Sequence, residues 1–292
     1  MMRRVVCVIA AMFATIVAVP AHARDKINVA ASLTILADFA RNVGGDRVDV
    51  VSLVGPNGDA HSYVPSPADA KKLADAKLII LDGLGLEGST AHFMRAAAKD
   101  AKVVTASDGI TPLRLGTQSD PHAWQSVANA KTYVANIRDA LIAADPAGKS
   151  VFEANAADYL RRLDALEAEV KAAIASIPPD RRKLVTTHNA FGYFGTAYEV
   201  DFIAPHGVST EAEPSARDVA RIIAQIRAQK IPAVFLENVT DPRLLERIAQ
   251  ESGARIGGTL YSDALTDANG PAPTYIDMMR HNVKELMTAL GG

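Results

Sequence analysis

Three of the seven histidines occupy loops in which imidazoles could meet and hold a metal ion. His61 lies in GDAHSYVPSP, past an apolar run that ends at Leu53, and His188 directly follows the β-rich run at residues 184–187. His122 lies in SDPHAW, just before a helical pattern. Parallel sheets bind ligands beyond the carboxyl ends of their strands, because loops and helix N-termini converge there. The three histidines are therefore candidates for one ligand site.

The ordinary role of a loop histidine is a solvated or hydrogen-bonded surface group, and no local zinc motif argues otherwise. Neither His-Glu-x-x-His nor Cys-x-x-Cys occurs, so a metal site would have to be assembled from distant segments. His206 also follows a predicted strand, so its position leaves an accessory role open. His92 and His281 fall within predicted helices and are assigned structural or surface roles. His22 falls in the predicted leader.

Carboxylates at the same sheet edge are the candidates for a fourth metal ligand. Asp263, in TLYSDALTD, follows one predicted strand and Glu237 ends another, and topology alone divides the fourth position evenly between them. Asp59 and Asp120 lie beside candidate histidines. Asp120 precedes a proline, as Asp241 does, and this pattern is typical of a helix N-cap. Both are therefore expected to cap the helices that follow them.

Short β-rich runs alternate with helical patterns along the chain, which is typical of βαβ units and parallel sheets. Two such series predict two α/β lobes, at residues 24–145 and 183–292. The segment Ser66–Asp69 has the pattern of a helix start, with a Ser cap, a proline at the first helical position and a carboxylate at the third. Strands are predicted at residues 27–31, 48–53, 78–81, 103–105, 184–187, 201–204, 233–236 and 255–259. Helices are predicted at residues 35–43, 67–74, 89–99, 124–143, 191–198, 215–229, 242–252 and 274–290.

Residues 146–182 are predicted to link the lobes by one long, rigid helix. Apolar residues recur there at intervals of three and four, the period of a helix with one buried face. A helix over 146–177 would be about 48 Å long, enough to run along both lobes. The apolar positions are Phe152, Ala156, Tyr159, Leu163, Leu166, Val170, Ile174 and Ile177.

The first 23 residues have the pattern of a secretory signal peptide. Met1–Arg4 is cationic, Val5–Val19 is uncharged and apolar, and Ala21-His22-Ala23 supplies a small-x-small cleavage site. The apolar run is shorter than the ~20 residues of a membrane-spanning helix. The only cysteine, Cys7, precedes the cleavage site, so we expect a periplasmic protein without disulfides or a membrane anchor.

The remaining composition excludes several classes of function. The formal net charge is −2, so no basic excess indicates a nucleic-acid partner. The glycines of residues 82–88 lack the context of a dinucleotide-binding turn, and no phosphate-binding Gly-Lys-Ser/Thr occurs. The Gly-x-Ser-x-Gly turn of serine hydrolases is also missing from the sequence.

Six segments, in order, resemble the cluster A-I solute-binding proteins of bacterial ABC transporters, the periplasmic zinc and manganese receptors. The resemblance covers essentially the whole chain after residue 23. Its most specific stretches are GDAHSYVPSPAD, DGLGLE, SDPHAW, THNAFGYF, GVSTEAEPSARDV and TLYSDALTD.

The resemblance implies two α/β lobes joined by a long helix, with the metal held between them. It implies that His61 and His122 come from the N-terminal lobe, and that His188 and Asp263 come from the C-terminal lobe. Glu237 is then a nearby structural carboxylate. It also implies a membrane permease as partner, and we expect a monomer, with a periplasmic metal-delivering protein as a further candidate partner.

The chain departs from many zinc receptors of this family at one loop. Those receptors carry a long loop rich in His, Asp and Glu before the second histidine, whereas residues 111–119 are short and contain no histidine. His206 occupies what is usually a non-ligand position, so the resemblance gives it no role.

Three imidazoles and one carboxylate favour Zn²⁺ over Mn²⁺, because manganese prefers more oxygen ligands and manganese receptors of this family often carry a glutamate in place of His188. A competing hypothesis is a secreted zinc hydrolase. In that case three histidines would hold a catalytic zinc, and Asp263 or Glu237 would act as the base. A binding protein for an organic solute would leave the three histidines unexplained. The export signal, the paired lobes and the rigid helix favour the metal receptor, which is not an enzyme.

Overall fold

The alternation of β-rich runs and helical patterns produces two four-stranded parallel sheets flanked by helices, as the sequence predicts. The computed structural model describes residues 26–291. The predicted signal peptide at residues 1–23 lies outside the described residues. Among residues 26–291, no helix is both long and apolar enough to cross a bilayer.

The N-terminal lobe places its first strand inside its sheet, in the order β2-β1-β3-β4. Ser66 caps α2 as predicted, with Asp69 returning the hydrogen bond. The two-stranded hairpin β5–β6, within the short loop at residues 111–119, was not predicted. The elements are β1 (Ile27–Ala31), α1 (Thr34–Gly44), β2 (Val48–Ser52), α2 (Pro67–Ala74), β3 (Leu78–Leu81), α3 (Ser89–Ala97), β4 (Lys102–Thr105), β5 (Arg114–Leu115), β6 (Gln118–Ser119) and α4 (Val127–Ala144).

The prediction that Asp120 caps the following helix is wrong. Helix α4 begins at Val127, after a 3₁₀ turn at Ala123–Gln125, and the Ser126 side chain accepts the N–H of Asn129. Asp120 lies before the 3₁₀ turn, where its carboxylate accepts the backbone N–H of His122 instead. The carboxylate therefore faces the candidate site.

The long helix α5 (Lys149–Ala175) links the lobes and is shorter than predicted. Residues Pro146–Gly148 form a 3₁₀ turn that precedes it, so the helix loses one turn at its start. Its predicted apolar face is buried over the whole length. The helix packs against α1 and α4 of the N-terminal lobe and against the last helix of the chain.

The C-terminal lobe repeats the same arrangement, with its first strand again inside the sheet, in the order β10-β9-β7-β8. The prediction of a second α/β series is therefore confirmed, with most element ends within one or two residues. The elements are β7 (Lys183–Val185), α6 (Gly192–Tyr198), β8 (Asp201–Ile203), α7 (Ala216–Gln229), β9 (Ala233–Glu237), α8 (Arg243–Ser252), β10 (Arg255–Leu260) and α9 (Tyr275–Leu290).

One hydrophobic core runs through both lobes and fixes their relative orientation. Phe39 of α1 packs with Tyr275 of α9, their ring centroids 4.9 Å apart. Asp38, beside Phe39, accepts the N–H of Tyr275 at 3.0 Å and the hydroxyl of Tyr159 in α5 at 3.3 Å. Burial raises the pKa of Asp38, because the charged carboxylate is separated from water there. The core therefore holds α1, α5 and α9 as one unit beneath the site.

Candidate metal centre

The imidazoles of His61, His122 and His188 converge between the two sheets. The Nε2 atom of His122 lies 3.1 Å from Nε2 of His61 and 3.3 Å from Nε2 of His188. His122 and His188 are fully buried, and the side chain of His61 is 4% exposed. All three histidines singled out from the sequence therefore meet, and they meet through the same ring nitrogen.

Asp263 completes this cluster from the loop after β10. One carboxylate oxygen lies 3.3 Å from Nε2 of both His61 and His188, and the other lies 3.5 Å from Nε2 of His122. Both oxygens are buried without a hydrogen-bond partner. The four ligand atoms lie within 4.8 Å of one another, and no other such cluster of metal-ligand side chains occurs in residues 26–291.

Contacts across the lobes hold the Asp263 loop in place. The carbonyl oxygen of Ser262 accepts the indole N–H of Trp124 at 2.9 Å and the amide N–H of Gln125 at 2.8 Å. Trp124 and Gln125 belong to the 3₁₀ turn that follows His122. Hydrogen bonds therefore join the turn that follows His122 to the loop that carries Asp263.

Two further carboxylates lie behind the buried imidazoles and contact their other ring nitrogens. Asp120 is 2.7 Å from Nδ1 of His122, and Glu237 is 2.6 Å from Nδ1 of His188. A carboxylate at Nδ1 favours a proton on that nitrogen, which leaves the Nε2 lone pair for a ligand. Glu237, one of two candidates for the fourth position, thus faces the far side of His188 and not the cluster.

Asp120 is also fixed from the opposite lobe. Tyr193, in α6, donates its hydroxyl to the backbone oxygen of Asp120 at 3.0 Å. A Cβ atom at Gly192 would lie 2.5 Å from the Asp120 carboxylate. The glycine of THNAFGYF is therefore required by the close approach of α6 to the Asp120 loop.

The charges of the cluster favour a cation. Burial lowers the pKa of the His188 imidazole, but the carboxylates of Glu237 and Asp263 outweigh burial and hold that pKa well above its usual value. Burial raises the pKa of Asp263, but the imidazoles of His188 and His122 outweigh it, so that pKa lies well below its usual range. A divalent cation in place of the imidazole proton would satisfy the same carboxylates.

The other histidines lie outside the cluster. His206 is buried and its Nδ1 lies 3.0 Å from the carbonyl oxygen of Ala212. His92 is exposed on α3. His281, in α9, meets the carbonyl oxygen of Thr259 through Nε2 and packs against Tyr261. Asp241 accepts the N–H of Arg243, the first residue of α8, but it lies one residue before the N-cap position, which Pro242 occupies without a side-chain cap.

The contacts of Asp120 and Glu237 with the Nδ1 atoms of the histidines were not predicted from the sequence, although the sequence contains one signal for Asp120. Asp-Ala-His at 59–61 and Asp-Pro-His at 120–122 share a spacing, and in both the aspartate accepts the N–H of the histidine at 2.9 Å. The repeated Asp-x-His spacing indicates a local turn that orients the histidine. The Glu237 contact has no local signal, because it depends on how β9 pairs with β7.

The fold and the site together define a two-lobed binding protein whose candidate site lies between the lobes. The sequence profile of the ZnuA family, described as "Zinc-uptake complex component A periplasmic", matches residues 29–289. The chain therefore belongs to this family, as its six sequence segments indicated.

Individual relatives agree with this assignment. The iron-binding protein YfeA of Yersinia pestis is 35% identical over 277 residues, which cover 93% of this chain and 89% of that protein. The manganese-binding lipoprotein MntA of Halalkalibacterium halodurans is 33% identical over 268 residues, covering 91% of this chain and 89% of that protein. The periplasmic zinc-binding protein TroA from Treponema pallidum superposes with a TM-score of 0.88 at 32% identity, covering 91% of this chain and 100% of TroA.

These relatives are named as binding proteins, and other similar proteins, such as PsaA of Streptococcus anginosus, are named as ABC transporter substrate-binding lipoproteins. The chain is accordingly a receptor of this family and not an enzyme, and the hydrolase hypothesis is set aside. The relatives differ in the metal that each is named for, namely iron, manganese or zinc.

Proposed function

We propose that this protein is a periplasmic zinc receptor that captures Zn²⁺ through His61, His122, His188 and Asp263 and delivers it to the permease of an ABC transporter. One observation carries the proposal. Three imidazole nitrogens and a carboxylate from both lobes form a buried cluster within 4.8 Å, with no hydrogen-bond partner for either carboxylate oxygen. Four nitrogen and oxygen ligands suit the tetrahedral preference of zinc.

The cellular setting belongs to the same proposal. Residues 1–23 direct export and are removed, the lobes at 24–145 and 183–292 are joined by residues 146–182, and the released chain acts as a monomer. A periplasmic protein that hands over metal is a further candidate partner. The match to a family described as periplasmic supports this setting.

A manganese receptor is the second candidate, and the geometry of Asp263 favours it. Both carboxylate oxygens face imidazole nitrogens at 3.3 to 3.5 Å, so bidentate coordination would give five ligands, two of them oxygens. Manganese prefers more oxygen ligands than zinc does. The relatedness to proteins named for manganese supports this candidate.

Metal analysis of the purified protein, with competition between Zn²⁺ and Mn²⁺, decides between the candidates. We expect one tightly bound Zn²⁺ per chain and a higher melting temperature with zinc, because the metal binds only the folded state. Mn²⁺ that persists against equimolar Zn²⁺ would favour the second candidate. Two or more equally tight sites would refute the single-site proposal.

Asp263→Ala tests the ligand set directly. We expect zinc affinity, measured by chelator competition, to fall more than about 100-fold, beyond the 10–100-fold loss typical of residues that only orient a ligand. His92→Ala is the matched control, since His92 is exposed on α3 and is not part of the cluster. Unchanged affinity in Asp263→Ala would remove Asp263 from the ligand set.

A further inference from the structure

Two loops of the N-terminal lobe present their histidines through the same turn. In Asp59-Ala60-His61 and in Asp120-Pro121-His122, one oxygen of the aspartate accepts the N–H of the histidine at 2.9 Å. In the second loop the same oxygen of Asp120 also meets the imidazole of His122. The two turns therefore fix the histidine backbone alike but support the imidazoles differently.

Asp59 uses its second oxygen to reach the other lobe. This oxygen accepts the hydroxyl of Ser62 at 2.8 Å and the hydroxyl of Thr210 at 2.6 Å. Thr210 lies in the loop between β8 and α7 of the C-terminal lobe. One carboxylate thus holds the His61 backbone with one oxygen and crosses the cleft with the other.

His61 is the least enclosed member of the metal cluster. Its side chain is 4% exposed, whereas the side chains of His122, His188 and Asp263 have no exposed surface. His122 and His188 each have a carboxylate at Nδ1, and the contacts of His61 within residues 26–291 include no carboxylate there. His61 is therefore held in place mainly through its backbone, by Asp59.

Two cavities adjoin the segments that the Asp59–Thr210 hydrogen bond joins. One, of about 470 Å³, is lined by Asp59, Thr210 and His206. The other, also about 470 Å³, is lined by His61 together with Val208 and Ser209 of the Thr210 loop. Both partners of the Asp59–Thr210 hydrogen bond line the first cavity, and the second is lined by His61 and the two residues before Thr210, so space is present next to the His61 loop.

We propose that Asp59 is a positioning residue that controls the rate of metal exchange, by tying the His61 loop to Thr210 of the opposite lobe. The inference rests on the proposed function, since the exchanging ligand is the captured metal. While the Asp59–Thr210 bond is made, His61 stays at the metal and blocks its exchange. When it breaks, the His61 loop is released toward the adjoining cavities, and metal enters or leaves past His61.

Thr210→Val tests the proposal because valine matches threonine in shape but has no hydroxyl. We expect zinc to dissociate into excess chelator roughly tenfold faster, as loss of a hydrogen bond to a charged acceptor predicts. We also expect faster zinc association, because a gate speeds passage in both directions. A merely structural change would weaken binding without speeding association.

Two control variants distinguish loss of the Thr210 hydroxyl from a general disturbance of the Thr210 loop. Thr210→Ser retains the hydroxyl and should exchange zinc at the wild-type rate. Ser209→Ala removes a neighbouring hydroxyl that accepts only the N–H of Glu211 and should also leave the rate unchanged. Acceleration in Ser209→Ala equal to that in Thr210→Val would overturn the assignment to Asp59 and Thr210.

Amide hydrogen exchange on the metal-free protein tests whether the Asp59–Thr210 hydrogen bond restrains the His61 loop. Amides of residues 59–64 should exchange faster in Thr210→Val than in wild type, with the amides of α5 unchanged. If Thr210→Val exchanges zinc at the wild-type rate, the proposed role of the Asp59–Thr210 hydrogen bond is refuted, but the proposed receptor function is not. A wild-type protein that binds neither Zn²⁺ nor Mn²⁺ would instead refute the proposed function.

Discussion

Glu237 and Asp82 occupy equivalent places in the two lobes but have opposite surroundings. Each sheet has its first strand inside, β1 or β7, and its third strand, β3 or β9, beside it. Glu237 is the last residue of β9, and Asp82 directly follows β3. Both are buried carboxylates at the carboxyl end of the third strand.

Three nitrogen atoms lie within 2.9 Å of the Glu237 carboxylate. One oxygen accepts the N–H groups of Thr187 and His188 at 2.7 and 2.9 Å, and the other lies 2.6 Å from the His188 imidazole. Asp82 accepts the hydroxyl of Tyr133 at 2.7 Å, and its second oxygen has no partner. Burial, followed by the nearby carboxylate of Glu87, raises the pKa of Asp82 well above its usual value.

The comparison shows that a carboxylate at a strand end is not by itself a functional residue. The neighbouring strand decides its role, since β7 is followed by His188 whereas β1 is followed by Ser32. Ser32 donates its hydroxyl to Glu87, so the residue after β1 gives Asp82 no partner comparable to His188. The C-terminal lobe therefore uses the third-strand carboxylate to support a metal ligand, whereas burial in the N-terminal lobe raises the pKa of its counterpart, which contacts no metal-ligand side chain.

Glu237→Ala should cause the largest loss of stability of the variants that test this comparison. The substitution leaves two buried N–H groups and a buried imidazole without their partner, and breaking a buried pair in this way costs about 3–5 kcal/mol. Urea denaturation of the metal-free protein measures the loss. Asp82→Ala is the matched control and should cost less, about 1–3 kcal/mol, because it leaves only the buried Tyr133 hydroxyl without its acceptor. Equal losses would remove the distinction between the two carboxylates.

Glu237→Gln should change how zinc affinity depends on pH. The amide can still accept the backbone N–H groups, so the fold is kept, but affinity at pH 7.5 should fall roughly 10–100-fold because the imidazole loses its charged partner. Protons compete with zinc at His188, whose pKa is raised by Glu237 and Asp263. Wild-type affinity should therefore decline as pH falls through that raised pKa, starting above the ordinary histidine value of about 6.5.

In Glu237→Gln the same decline should begin at a lower pH, because one of the two carboxylates that raise the His188 pKa is gone. Chelator competition between pH 5 and 8 measures the midpoint. Asp120→Asn is the matched variant, since it alters the partner of His122 and leaves the Glu237–His188 pair intact. An identical pH profile for wild type and Glu237→Gln would contradict this account of His188.

The fold was predictable because local signals agree with one another. Ser66 and Pro67 start α2 as expected, the apolar face of α5 is buried, and both series of strands form parallel sheets. The strand-end positions of His61 and His188, with His122 before a helix on the same side, made the three histidines candidates for one site, and the family resemblance implied that they share a metal. The structure places all three within one cluster.

Supporting contacts were harder to predict, for physical reasons that differ between residues. Asp120 precedes a proline and so has the pattern of a helix cap, but a 3₁₀ turn intervenes before α4. Glu237 reaches His188 across a strand pair, and residues 49 apart in the chain give no periodic signal. The Asp59–Thr210 contact spans 151 residues and depends on how the two lobes pack together.

Asp82→Asn should produce the smallest effect, and a stabilising one. An acid whose pKa is raised in the folded state binds a proton more tightly there than in the unfolded chain. The stability that this tighter proton binding contributes is fully present below the unfolded-state pKa of about 3.9. It is lost as pH rises through the pKa of the folded state. Asparagine can still accept the Tyr133 hydroxyl but cannot ionise, so it avoids this loss. We expect the variant to unfold at higher urea than wild type at pH 8, with the difference shrinking toward pH 4. A variant less stable than wild type at pH 8 would mean that Asp82 stabilises the fold as a charged carboxylate. Asp82 and Glu237 would then differ in the groups that they contact and not in their charge.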